Sequence, residues 1–326
     1  MKKLFKILLF VFLFLIVGAV AGYFYIMSAL PKIADAPDLK IEPTPELVKR
    51  GEYLFNNVAV CADCHSTRDY SMFSGPLVEG TIGKGGFEFN EEFGLPGKFY
   101  AKNITPAGLK GWSDGEIFRA ITEGVNKDGE PLFPLMPYLN FGKMDKNDVY
   151  AIIAYMKTLP PIENNVPVSK ANFPVNLIMR SMPQKSELAQ IPDKSNSKEY
   201  GKYLTNIAGC NDCHTQQVDG EFQMNKYLAG GQEFKLPGGV VLRSSNITPD
   251  IQSGIGAWTK DMFIQKFRSY SKNNFVPYKV NQGEFNTIMP WTFFANMTDE
   301  DLGAIYDYLR TIVPIPNKVT RFENKN

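Results

Sequence analysis

Two clusters in this chain gather the side chains with the greatest capacity for chemistry. Cys61-Ala62-Asp63-Cys64-His65 recurs 149 positions later as Cys210-Asn211-Asp212-Cys213-His214. Each sets two thiols three positions apart, with an imidazole directly after the second. Thiols at that spacing reach the two vinyl groups of one porphyrin, and the adjoining histidine then falls beneath its iron, the C-x-x-C-H attachment pattern of c-type haem. The two clusters also use every cysteine (4) and every histidine (2) in the 326 residues. No cysteine is left for a disulfide or an iron–sulfur cluster. A structural zinc site would gather its four ligands in one place, whereas these lie in two self-contained groups. A thioredoxin-like dithiol gives no reason for the histidine that follows each pair.

The elements that must position these clusters belong to an internal repeat. Gly51-Glu52-Tyr53-Leu54 matches Gly201-Lys202-Tyr203-Leu204, and Asn103-Ile104-Thr105-Pro106 matches Asn246-Ile247-Thr248-Pro249. Trp112 matches Trp258, Met136-Pro137-Tyr138 matches Met289-Pro290-Trp291, and 144–162 matches 297–315. The period is far longer than that of a solenoid unit, so one domain is duplicated. Thr44-Pro45 is an N-cap with proline at the first helical position, followed by Leu47, Val48, Leu54 and Phe55 at helical spacing. Asp145-x-x-Asp148 and Thr298-x-x-Asp301 read as capping-box variants opening the last helix of each repeat. Gly51 and Gly201 fall inside helices at a cost of about 1 kcal/mol relative to alanine. Close crossing of the first and last helices, opposite Ala151 and Ala304, is the expected compensation. The Gly-, Pro- and Asn-rich stretch between those helices lacks periodicity and reads as a loop wrapped around a haem.

At the N-terminus, Lys2, Lys3 and Lys6 precede an uncharged apolar run over 7–27. About 20 such residues span a bilayer, and the lysines keep the leading end in the cytoplasm. A cleaved signal peptide would end at Ala19-Val20-Ala21. The aromatic cluster Tyr23-Phe24-Tyr25 continues the apolar run past that point and favours a retained anchor. Either way the remainder lies outside the cytoplasm, where haem is attached. The net charge of +1 and the lack of a basic, aromatic-interleaved stretch give no sign of nucleic-acid binding. The chain thus divides into an anchor (1–29), a first repeat (41–162), a connector (163–194), a second repeat (195–316) and a polar tail (317–326).

Over 41–315 this arrangement resembles the small all-α cytochrome c fold, present twice. It is similar to membrane-associated multi-haem cytochromes of bacterial respiratory chains, including cytochrome subunits of alcohol and sugar-acid dehydrogenases. The resemblance implies an all-α protein: two tandem cytochrome c domains after one transmembrane helix, facing the periplasm, with two covalent haems. It implies a donor that is a dehydrogenase or quinol-oxidising complex, and an acceptor that is a terminal oxidase or soluble cytochrome. Those dehydrogenase subunits usually carry three haems; this chain has sites for two.

Each iron needs a sixth ligand, and no third histidine exists to supply one. Met144 and Met297 precede capped helices opposite Val149 and Leu302, a hydrophobic staple arrangement. Met136 and Met289 have no periodic context and stand where the family has its ligand; core packing is the alternative. The expected set is Cys61, Cys64, Cys210 and Cys213 for attachment, with His65, Met136, His214 and Met289 on iron. Asn103, Asn246, Trp112, Trp258, Arg68 and Arg243 could bond haem propionates, or serve as turn and core residues. Electron transfer without substrate turnover is the expected function. A di-haem peroxidase would need an open iron face and a free histidine for acid–base work; a docking subunit with haem as core is a third reading.

Overall fold

The computed structural model describes residues 1–218, 220–236 and 239–324. An isolated helix, α1 (Lys2–Ala29), has no buried residue. In the first repeat, α2 (Pro45–Tyr53) starts at Thr44, whose hydroxyl accepts the Leu47 N–H at 3.3 Å. After α2 come α3 (Cys61–His65), α4 (Asp114–Glu123), α5 (Tyr138–Phe141) and α6 (Lys146–Met156). A short helix, α7 (Val175–Ile178), lies between the repeats. The second repeat returns the same series as α8 (Ser197–Ile207), α9 (Cys210–His214), α10 (Lys260–Arg268), α11 (Trp291–Phe294) and α12 (Asp299–Leu309).

Within each repeat the first and last long helices cross tightly, α2 on α6 and α8 on α12. A Cβ on Gly51 would overlap the Ala151 carbonyl oxygen, and one on Gly201 the Ala304 carbonyl. These glycines are therefore the price of backbone contact, as the sequence suggested. The two crossings share one apolar core, in which Leu54, Phe55 and Ile152 join Leu204, Ile207 and Leu302.

The two repeats differ by one residue in a place that shows. Gly51 and Cys61 are ten positions apart, whereas Gly201 and Cys210 are nine. In the first repeat α2 runs on into a π-helical turn, Leu54–Val58, while α8 stays α-helical to Ile207. A π turn absorbs one extra residue without breaking the helix, so both motifs begin in the same attitude. The residue before each first cysteine is left-handed, Val60 at φ 44° and Gly209 at φ 64°.

The all-α expectation is not met. The chain is 39% helical and 9% strand. β1 (Glu88–Phe89), β2 (Gly97–Tyr100) and β3 (Lys170–Ala171) form one antiparallel sheet, and β4 (Gln217–Val218) pairs with β5 (Glu221–Phe222). A third sheet joins β6 (Glu233–Leu236), β7 (Val240–Arg243) and β8 (Phe322–Asn324). The backbone polar groups of the long inter-helix segments need partners, and these segments find them in one another. Even β3, from the connector, and β8, from the C-terminal tail, are used this way.

Between the repeats lies a reciprocal polar clasp. The Tyr203 hydroxyl accepts the Asp145 N–H at 3.0 Å and donates to the Asp148 carboxylate at 2.8 Å. In the other direction the Tyr53 hydroxyl accepts the Thr298 N–H at 3.1 Å and donates to Asp301 at 2.5 Å. In an ordinary capping box the N3 carboxylate would reach the N-cap N–H itself. Here a tyrosine from the opposite repeat is inserted between them.

Candidate haem site

Both cysteine–histidine motifs open into one continuous cavity of about 2500 Å³. That is several times the roughly 300–1,000 Å³ of a pocket for one small ligand. Cys61, Cys64, His65, Cys210, Cys213 and His214 all line it. The first turn of each motif is short, and a backbone brace holds it: the Gly85 N–H donates to the His65 carbonyl at 2.8 Å, and the Gly230 N–H to the His214 carbonyl at 2.7 Å.

The imidazoles are oriented alike. His65 Nδ1 lies 2.7 Å from the Lys102 carbonyl oxygen, and His214 Nδ1 lies 2.7 Å from that of Ser245. Burial lowers both imidazole pKa values, opposed by these carbonyls. A neutral ring donating from Nδ1 leaves the Nε2 lone pair free, the state in which histidine binds a metal. Burial pushes the thiols of Cys61, Cys210 and Cys213 up to about 12, and that of Cys64 upward as well.

The orienting carbonyls explain the Asn-Ile-Thr-Pro loops. Asn103 Oδ1 accepts the Thr105 N–H at 3.0 Å and its hydroxyl at 2.7 Å, while Nδ2 donates to the Ile162 carbonyl at 2.7 Å. Asn246 does the same with Thr248 and Ile315, at 2.9, 2.8 and 2.8 Å. Each asparagine thus ties its turn to the chain beyond the last helix and fixes the preceding carbonyl under the histidine. These are the turn-forming roles. Lys102 and Ser245 act through backbone oxygen, which side-chain identity does not reveal; their place immediately before Asn-Ile-Thr-Pro was the available signal.

Of the paired methionines, Met136 and Met289 line the cavity. Each begins the same turn, its carbonyl accepting the N–H of Tyr138 or Trp291 at 2.8 Å. Met144 and Met297 are buried in the apolar core. Arg68 is committed to protein groups: it ion-pairs with Asp63, donates to the Gly75 and Ser74 carbonyls at 2.6 and 2.5 Å, and covers the Phe293 ring at 5.4 Å. Arg243 bonds Glu233 at 2.8 Å and Glu323 at 2.9 Å. Trp112 lines the cavity, and Trp258 packs on the core.

The methionine loops are also where the repeats meet. Asn140, four residues past Met136, donates to Asp212 inside the second motif at 2.6 Å and accepts from Asn206 at 3.0 Å. In return, Ser74 donates through its hydroxyl to the Met289 carbonyl at 3.2 Å and through its N–H to Asn286 at 2.9 Å. Burial raises the Asp63 carboxyl, with Arg68 opposing; burial raises Asp212 to about 6, with Asn140 opposing. Paired thiols at an apolar cavity, a pre-oriented neutral imidazole and a thioether on a stiffened loop fit covalent haem in each repeat.

Comparison with known proteins agrees. Residues 199–312 match the cytochrome c family. The cytochrome c subunit of a quinone alcohol dehydrogenase from Gluconacetobacter polyoxogenes is 28% identical over 83% of this chain and 57% of its own length. The fructose dehydrogenase cytochrome subunit of Gluconobacter japonicus is 28% identical over 83% of this chain and 54% of its own. This chain therefore spans little more than half of those subunits. A di-haem c-type cytochrome of Cereibacter sphaeroides is 27% identical over 88% of this chain and 97% of its own length. Residues 199–312 are thus a cytochrome c domain, and over most of its length the chain is similar to cytochrome c subunits of dehydrogenases and to a di-haem c-type cytochrome.

Proposed function

We propose that the chain relays electrons through two c-type haems held side by side in its shared cavity. Cys61, Cys64, His65 and Met136 hold the first, and Cys210, Cys213, His214 and Met289 the second. The observation that supports this most is that both motifs and both methionine loops face one cavity. The near full-length match to a di-haem cytochrome agrees with a count of two.

When bound, haem supplies reversible one-electron chemistry with little change in shape. The protein's part is to hold and insulate. The four cysteines fix attachment, and the Lys102 and Ser245 carbonyls keep each imidazole in the tautomer that presents Nε2. Met136 and Met289, on loops stiffened by proline, would supply the remaining iron ligands. With a methionine bound on each iron no face would be left open for peroxide, and neither histidine would be free for acid–base work. The N-terminal helix serves as a retained anchor in the inner membrane, with the haem domains on the periplasmic side. The donor is a membrane-associated dehydrogenase or quinol-oxidising complex, and the acceptor a terminal oxidase or soluble cytochrome. Tethering keeps the carrier concentrated beside such partners.

The test is spectroscopic and kinetic. The oxidised protein should show methionine–iron absorption in the near infrared, about half of which is lost in Met136→Ala. The reduced protein should bind carbon monoxide slowly and consume no peroxide. Rapid carbon monoxide binding, with peroxide turnover, would replace this reading by the enzyme.

A further inference from the structure

The connector between the repeats is unusually apolar for an exposed segment. Residues 173–182 read Phe-Pro-Val-Asn-Leu-Ile-Met-Arg-Ser-Met. Its inner side, with Met179, Arg180 and Met182, lines the cavity. Its outer side leaves Phe173 79% and Ile178 50% exposed, with Val168 nearby in sequence at 75%. Large apolar side chains left this exposed on one short segment point to a surface that something covers.

Arg180 identifies the covering. It is buried, and it is bonded to the end of α1: Nε and Nη2 donate to the Leu30 carbonyl at 3.1 and 2.8 Å, while Nη1 pairs with Glu130 at 2.5 Å. The last carbonyls of a helix lack intrahelical partners and carry its negative dipole end, so a guanidinium there is doubly suited. At 28 residues α1 is about 42 Å long, against a hydrocarbon core of about 30 Å. Its final turns, after Tyr23-Phe24-Tyr25, therefore lie at headgroup level, and Arg180 lies there with them. One residue, Met179, separates Ile178 from Arg180, and Phe173 precedes the short helix α7. Lys32, Lys170 and Lys185 are exposed in the flanking chain, suited to anionic headgroups.

We infer that the connector is a second membrane-contact site, with Phe173 and Ile178 inserted at the headgroup–acyl boundary of the bilayer that α1 crosses. This rests on reading α1 as a retained span. Contact at a second point fixes the tilt of the extramembrane body. It also sets the cavity wall formed by Met179 and Met182, on the first repeat's side, toward the membrane.

The full chain, loaded with haem and reconstituted in phosphatidylethanolamine–phosphatidylglycerol vesicles, provides the test. Because haem occupies the native cysteines, a single added cysteine takes a nitroxide label, and the unsubstituted chain should take none. Labels at Phe173→Cys, Ile178→Cys, Phe14→Cys and Ile251→Cys are compared for relaxation by oxygen, which partitions into lipid, and by a water-soluble nickel chelate. All four sites are exposed, so none disturbs the core. Positions 14, 173 and 178 should each show an oxygen-to-nickel ratio several-fold above position 251. If 173 and 178 behave like 251 while 14 reads as hydrocarbon, the span stands and the inference fails. Shielding of 173 and 178 from both reagents would show a protein cover and also overturn it. An aqueous reading at 14 would remove the span and the inference together.

Discussion

The two repeats set carboxylates at matching places and satisfy them by different means. In the first, Asp63 pairs with Arg68, and Asp148 receives two 2.8 Å bonds from Arg50. In the second, Asp212 is held by Asn140, and Asp301 by the hydroxyls of Tyr200 at 3.0 Å and Tyr53 at 2.5 Å, with Lys194 Nζ 3.9 Å away. Arg50 and Tyr200 both stand immediately before the crossing glycine. One scaffold was thus built twice, once chiefly with arginine partners and once chiefly with neutral donors. Charge near a haem is a lever on its potential, so the duplication gives two similar cradles in different electrostatic fields.

The sharpest way to break this comparison is to remove the donors. Arg50→Met takes the cation from buried Asp148, and Arg68→Met removes a buried cation from half-buried Asp63 together with its bonds to two carbonyls; each should cost about 3–5 kcal/mol. Asn140→Ala and Tyr200→Phe remove neutral donors and should cost about 1–3 kcal/mol. Guanidinium unfolding followed by haem absorbance orders the four; equal losses in the two repeats would dissolve the distinction.

Next comes the clasp. Tyr53→Phe and Tyr203→Phe each remove one hydroxyl that serves an N-cap N–H and an N3 carboxylate, so about 1–3 kcal/mol is expected from each. Because the bonds run between repeats, the loss should also loosen one repeat against the other, read as faster amide exchange at Asp145 or Thr298. Unchanged exchange at both would mean that the apolar core alone holds the repeats in place.

The smallest effect is expected at the position before each motif. Val60 carries left-handed strain of roughly 1–2 kcal/mol that Gly209 does not. Val60→Gly removes that strain but gives up packing and adds about 1 kcal/mol of chain entropy. Thermal unfolding should shift by a few degrees at most; a large loss would mean that Val60 packing dominates.

Much of this was legible in the residues. Gly51 and Gly201 pointed to helix crossings because glycine inside a helix needs a reason, and the crossings lie opposite Ala151 and Ala304. Met144 and Met297 read as core from their place before capped helices, and they are buried. The strands were missed because two- to four-residue ladders inside Gly- and Pro-rich segments carry too few alternations. Glu233–Leu236 and Val240–Arg243 did alternate or cluster β-formers, and were the one fair signal. The clasp was hidden for another reason. Asp148 and Asp301 read as local caps, and nothing local shows that a tyrosine some 50 or 250 positions away intervenes. The π turn could have been found by counting, since one repeat has a residue more than the other between glycine and cysteine.

The central claim is that both cradles carry covalent haem, and the mass of the intact, denatured chain tests it most directly. Two haem additions should survive acid–acetone extraction and map to the peptides containing Cys61–His65 and Cys210–His214. A single addition, or haem that extracts, would contradict the account.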